Sequence, residues 1–94
     1  MDQITTTLPG WQEMWGRLIT INVDIKHIRG IFSYLKSWAN KTVSAEEIVR
    51  IVRVAIYKYE RDNTLDSGLL DFAPQIIDAL VKNSIVANKA RSRL

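Results

Sequence analysis

The stretch that decides the fold is residues 11–39, WQEMWGRLITINVDIKHIRGIFSYLKSWA. Its apolar residues recur as Trp11, Met14, Leu18, Ile21, Ile25, Ile28, Phe32, Leu35 and Ala39, alternately three and four apart. On an α-helix that rhythm keeps all of them on one seam, at the a and d positions of successive heptads, with mostly polar residues turned away. Such a seam is not left in water. The spacing therefore predicts a long helix over about residues 10–39, packed against other helices. Unbroken, that helix would be ~43 Å long, which requires either a bend or an end that projects toward another subunit.

A competing signal lies inside it. Ile19-Thr20-Ile21-Asn22-Val23-Asp24-Ile25 alternates apolar and polar with period two and, taken alone, reads as a strand. The three-four row continues on both sides, which favours helix. The β-branched run, with Gly16 and Gly30, weakens it and marks Asn22 to Asp24 as the place for a kink or break.

Downstream, Asn40 to Val43 reads as a turn, and Ser44-Ala45-Glu46-Glu47 is a capping box, with Val43 positioned to staple onto Ile48. A second helix is predicted over about 44–61, with Ala45, Ile48, Val52, Ala55 and Tyr59 inward, Ile51 and Ile56 widening that face, and Glu46 four residues before Arg50 as a surface pair. Asp62 to Gly68 is rich in turn formers. A third helix follows over about 71–88, with Asp71 as N-cap, Pro74 harmless in the first turn and Phe72, Ala73, Ile76, Ile77, Leu80 and Val81 inward. Residues 69–72 read equally well as a helical turn of their own. Upstream, residues 1–9 form a polar lead in which Thr7 is a candidate N-cap for the first helix; residues 89–94 form a basic tail. The expected fold class is all-α: one domain over residues 1–94, a small three-helix bundle with a long first helix.

Composition agrees with a folded domain. The 94 residues are 47% hydrophobic and 24% charged, and a chain of this size buries roughly 60–65% of its unfolded surface. With no cysteine there is no disulfide framework, and one histidine is a poor start for a zinc site. Stability must come from packing or from a partner, which favours self-association. The lead has neither a basic n-region nor an apolar h-region, so no secretory signal is expected. The most apolar window, residues 18–35, contains Asp24, Lys26, His27 and Arg29 and is no membrane span. An intracellular or virion setting is the resulting expectation.

The formal charge of +3 is unevenly placed. Residues 1–81 hold nine Lys and Arg against ten Asp and Glu, while residues 82–94 hold Lys82, Lys89, Arg91 and Arg93 and no acid. The body is close to neutral and the basic excess is a tail.

Two surfaces stand out as candidates. The first is apolar: Trp11, Met14, Trp15, Leu18, Ile21, Ile25, Ile28, Ile31, Phe32, Leu35 and Trp38, read as a protein interface because the groups flanking the seam at Trp15, Ile31 and Trp38 suit a bundle, within or between chains, better than a two-stranded coiled coil. The second is basic: Arg50, Arg53, Tyr57, Lys58 and Arg61 on the second helix, joined by Lys82, Lys89, Arg91 and Arg93, where cations interleaved with an aromatic ring offer a site to nucleic acid or another anionic partner. No zinc-finger, basic-zipper or RNP pattern accompanies this row.

Catalytic motifs are lacking. His27 is the only histidine, there is no Gly-rich phosphate loop, and Asp62, Asp66, Asp71 and Asp78 miss the calcium-loop spacing, since Ser67 and Ala73 stand where glycine and glutamate are needed. The expectation is a non-enzymatic assembly or adaptor protein, without cofactor or metal, that binds itself or a larger protein through the first helix. Nucleic-acid binding is the alternative; a membrane partner is not expected.

Overall fold

The computed structural model describes residues 5–64 and 68–81. In chain order they form β1 (Thr5–Thr7), α1 (Trp11–Leu18), α2 (Ile25–Leu35) ending in a 3-10 turn (Lys36–Trp38), β2 (Thr42–Ser44), α3 (Ala45–Asp62), a second 3-10 turn (Leu69–Phe72) and α4 (Ala73–Leu80). The protein is mostly helical with a small two-stranded sheet. The predicted residues 82–88 of the third helix and the tail lie outside the described residues.

The long first helix is two helices. It stops at Leu18, where Thr20 Oγ donates back to the Arg17 carbonyl at 2.7 Å and the Ile21 amide closes on Leu18. It restarts at Asp24, an N-cap whose carboxylate accepts from the Lys26 amide at 3.0 Å. The segment between, Ile19 to Val23, carries β-branched residues and an asparagine, all of which fit a helix interior poorly. The restart makes α2 a separate helix with its own inward face. Ile31, a flanking position of the seam, becomes core alongside Ile28 and Leu35, whereas Ile25, nominally on the seam, is 47% exposed.

Residues 5–7 of the lead are held by strand pairing. β1 runs antiparallel to β2 with Thr5 opposite Ser44, Thr6 opposite Val43 and Thr7 opposite Thr42. Thr7 therefore faces Thr42 across the ladder, hydroxyl to hydroxyl at 2.8 Å, and Gly10 takes the N-cap position of α1 without a side-chain bond. The ladder is continued by the Leu8 amide on the Lys41 carbonyl at 2.8 Å, with Asn40 in a left-handed conformation that asparagine tolerates. This brings Leu8 and Val43 into the core.

α3 is the spine. Its capping box is complete, the Glu47 amide donating to Ser44 Oγ and the Ser44 amide to Glu47 Oε1, both at 3.1 Å. Ala45, Ile48, Ile51, Val52, Ala55, Ile56 and Tyr59 face inward as their spacing predicts. α2 packs against one flank of α3 and α4 against the other, and α1 lies on α4. The 3-10 turn before α4 is tied to α3 by the Leu69 amide, which donates to Glu60 at 3.2 Å. Asp71 lies within that turn, so Phe72 and not Asp71 occupies the N-cap of α4, and Phe72 is only half-buried. At the other end of α4, Arg17 donates to the Leu80 carbonyl at 3.0 Å and pairs with Glu13, placing a cation at the helix C-terminus.

Candidate protein-binding surfaces

Once α1 and α2 have turned Met14, Leu18, Ile28, Ile31 and Leu35 into the chain's own core, those five side chains are not surface, each being at most 1% exposed. What remains outside from the predicted apolar interface is smaller. Trp11 is 56% exposed, Trp15, Ile21, Phe32 and Trp38 are half-buried against the core, and Ile25 is exposed. Among the described residues those five side chains are covered by the chain itself, and the exposed remainder of the predicted interface is mainly aromatic.

These aromatics fall on two sides of α2. Positions 32 and 34 are about 200° apart around a helix, so Phe32 leans toward α1 while Tyr34 leans toward α3. On the α1 side, Trp15 and Phe32 pack with ring centroids 5.3 Å apart at 52°. Trp11, Phe32 and Lys36 line an open, largely apolar depression of about 430 Å³ beside them. On the α3 side, a groove of about 240 Å³ runs between Tyr34 and Trp38 and the outer face of α3, with Arg50, Ile51, Val54, Ala55 and Lys58 as its floor and far wall. Lys41 Nζ stands 5.3 Å from the centre of the Trp38 ring. A third depression, about 490 Å³ and as apolar as it is polar, is lined by Lys26, Arg29 and Tyr59 among others.

The basic row of α3 is exposed throughout, Tyr57 at 59%. The structure brings only part of it together. Arg50 and Lys58 face the groove; Arg53, Tyr57 and Arg61 do not line it. Arg50 reaches Glu47 at 3.9 Å, and Arg61 bonds Asp62 at 3.2 Å while its guanidinium sits 5.9 Å from the centre of the Tyr57 ring. The row is thus interleaved with carboxylates. Lys82, Lys89, Arg91 and Arg93 lie outside the described residues.

Polar contacts lock α2 onto α3. The Tyr34 hydroxyl donates to Asp62, which raises the phenol above its ordinary pKa and holds the carboxyl below the usual 3.8, with Arg61 and Lys58 adding to the latter. His27 Nδ1 and the Tyr59 hydroxyl share a hydrogen bond of 2.8 Å, and burial, followed by the charge of Asp24, raises the Tyr59 pKa above 10.0. Among the described residues no three His, Asp or Glu converge as a metal site requires, and no helix is long and apolar enough to cross a membrane.

Sequence reasoning missed Tyr34, Lys36, Lys41 and Val54. Val54 carried a signal: it is an aliphatic residue between Arg53 and Ala55 that falls off the inward row of α3, and it is 41% exposed. Tyr34 and Trp38, four apart, carried another. Comparison with family models, with curated proteins and with solved structures returned no match for this chain.

Proposed function

We propose that this protein is a non-enzymatic helical binding module that engages another protein, a second copy of itself or a larger partner, through the apolar surface shared by α1 and α2. The carrying observation is Trp11. Among the described residues most large aliphatic side chains are buried, whereas this indole stands 56% exposed beside the Trp15–Phe32 pair. Covering the exposed half of an indole is worth roughly 3 kcal/mol at ~25 cal/mol per Å², the size of an interface hot spot. Lys36 at its edge supplies the polar rim typical of such patches.

Light scattering across a concentration series, paired with photo-crosslinking from residue 11 in the producing cell, tests the reading. Self-association that Trp11→Glu abolishes without changing the melting temperature supports the homo-oligomer form; specific crosslinks from residue 11 but not from exposed Gln75 support the larger partner. A wild-type monomer at every concentration, with no crosslinks at 11 above those at 75, refutes both. The nucleic-acid reading has less to carry it, because Glu47 and Asp62 stand among the cations a phosphate backbone would follow.

A further inference from the structure

We propose that the groove between Tyr34, Trp38 and α3 is a second binding site, for a peptide segment that presents one bulky apolar side chain flanked by carboxylates. The groove is independent of the Trp11 surface, since it lies on the opposite side of α2.

Size sets the first limit. At about 240 Å³ the groove falls below the ~300 Å³ at which small-molecule sites begin, so it accommodates one side chain and not a cofactor-sized ligand. Its floor is aliphatic, and Val54 is an exposed aliphatic residue on the solvent face of a helix whose inward row is already complete. Its walls are the rings of Tyr34 and Trp38. An apolar anchor seated there would cover Val54 and the ring edges together.

Charge sets the second limit. Arg50 and Lys58 mark the two ends of the groove along α3, and Lys41 lies over Trp38. Two carboxylates answer them: Glu47, 3.9 Å from Arg50, and Asp62, which accepts from Tyr34 and is also bonded by Arg61. The lining itself holds two cations, Arg50 and Lys58, and no acid, which leaves a positive rim around a slot with an aliphatic floor, the complement of an acid-flanked anchor.

Spacing sets the third. Residues 50 and 58 are eight apart on one helix, ~12 Å along its axis. An extended peptide rises ~3.3 Å per residue, so carboxylates four positions apart straddle that distance, with the anchor midway. The pattern is acid, any, bulky apolar, any, acid. A nucleic-acid strand has no counterpart to the aliphatic floor and would run along α3 past Glu47 and Asp62.

The test uses the full chain and the labelled peptide Glu-Ala-Phe-Ala-Glu at low salt, read by fluorescence anisotropy and by amide chemical-shift mapping. Expected are saturable binding with shifts centred on Tyr34, Trp38 and Val54, at least tenfold weakening by Arg50→Glu with Lys58→Glu, and similar weakening by Val54→Asp, all with unchanged melting. The controls Glu-Ala-Ala-Ala-Glu and Lys-Ala-Phe-Ala-Lys are expected to bind at least tenfold more weakly. Absence of binding at millimolar peptide, equal binding of the charge-reversed peptide, or tighter binding of a single-stranded oligonucleotide at the same residues overturns the proposal. Trp11→Glu leaves this binding intact, which separates its failure from that of the first surface.

Discussion

Gly30 of α2 lies directly against the ring of Tyr59 on α3: a β-carbon at residue 30 would stand 2.0 Å from Tyr59 Cε1. The ring has little room to yield, being 7% exposed and held through its hydroxyl by His27 at 2.8 Å. In an open helix, Gly→Ala stabilises by about 0.5–1 kcal/mol; here the clash reverses the sign. Gly30→Ala is expected to cost about 1–3 kcal/mol in chemical denaturation, the usual range for overpacking. Combined with Tyr59→Leu the two losses are expected to be non-additive, because the smaller side chain removes the clash.

The isoleucines of α2 are unequal: Ile25, its first residue, is 47% exposed, whereas Ile31 is 1% exposed. Ile25→Asp is expected to change stability by no more than about 0.5 kcal/mol, as for an exposed surface site. Ile31→Asp buries an unpaired carboxylate in a position 1% exposed and is expected to abolish cooperative unfolding at neutral pH. A continuous seam demands the opposite order, so thermal melts of the two variants separate the architectures.

The Ser44–Glu47 box satisfies two backbone donors at the start of the spine. Ser44→Ala is expected to cost about 1 kcal/mol. Ser44 also pairs with Thr5 in the ladder, so amide hydrogen exchange is expected to rise in Thr5–Thr7 as well as in the first turn of α3.

Stability is expected to fall at both pH extremes through the α2–α3 contacts. The raised Tyr59 and Tyr34 phenols contribute stability that is full below pH 10.0 and lost as pH rises through their folded values, because the unfolded chain releases those protons first. The lowered Asp62 contributes stability that is full above pH 3.8 and lost as pH falls through its folded value. Melting temperature against pH checks both limbs: Tyr59→Phe is expected to flatten the alkaline limb, and Asp62→Asn the acid limb.

Much of the helical layout is legible in the sequence where one short segment contains its own cause. The capping box, the inward row of α3, the weakness of the helix at Asn22 to Asp24 and the helical turn at 69–72 all depend on neighbours within a few positions. The β1 strand was not legible, because Thr5–Thr7 is polar and acquires its structure only from Thr42–Ser44 across the fold. The candidate surfaces were half legible. Trp11 and Phe32, Arg50 and Lys58 carry their chemistry in their names, but Tyr34, Val54 and Lys36 matter through what stands opposite them.

By itself, then, the sequence determined that this chain is mostly helical, where α3 begins, and that Met14, Leu18, Ile28 and Leu35 of the first apolar row face inward. Tertiary structure alone decided that Ile31 joins them while Trp11 and Ile25 of the same row stay outside, and that α3 and not the first helix is the spine. The reason is geometric: the break over residues 19–23 makes two helices that pack separately, and heptad spacing carries no record of how each one is covered.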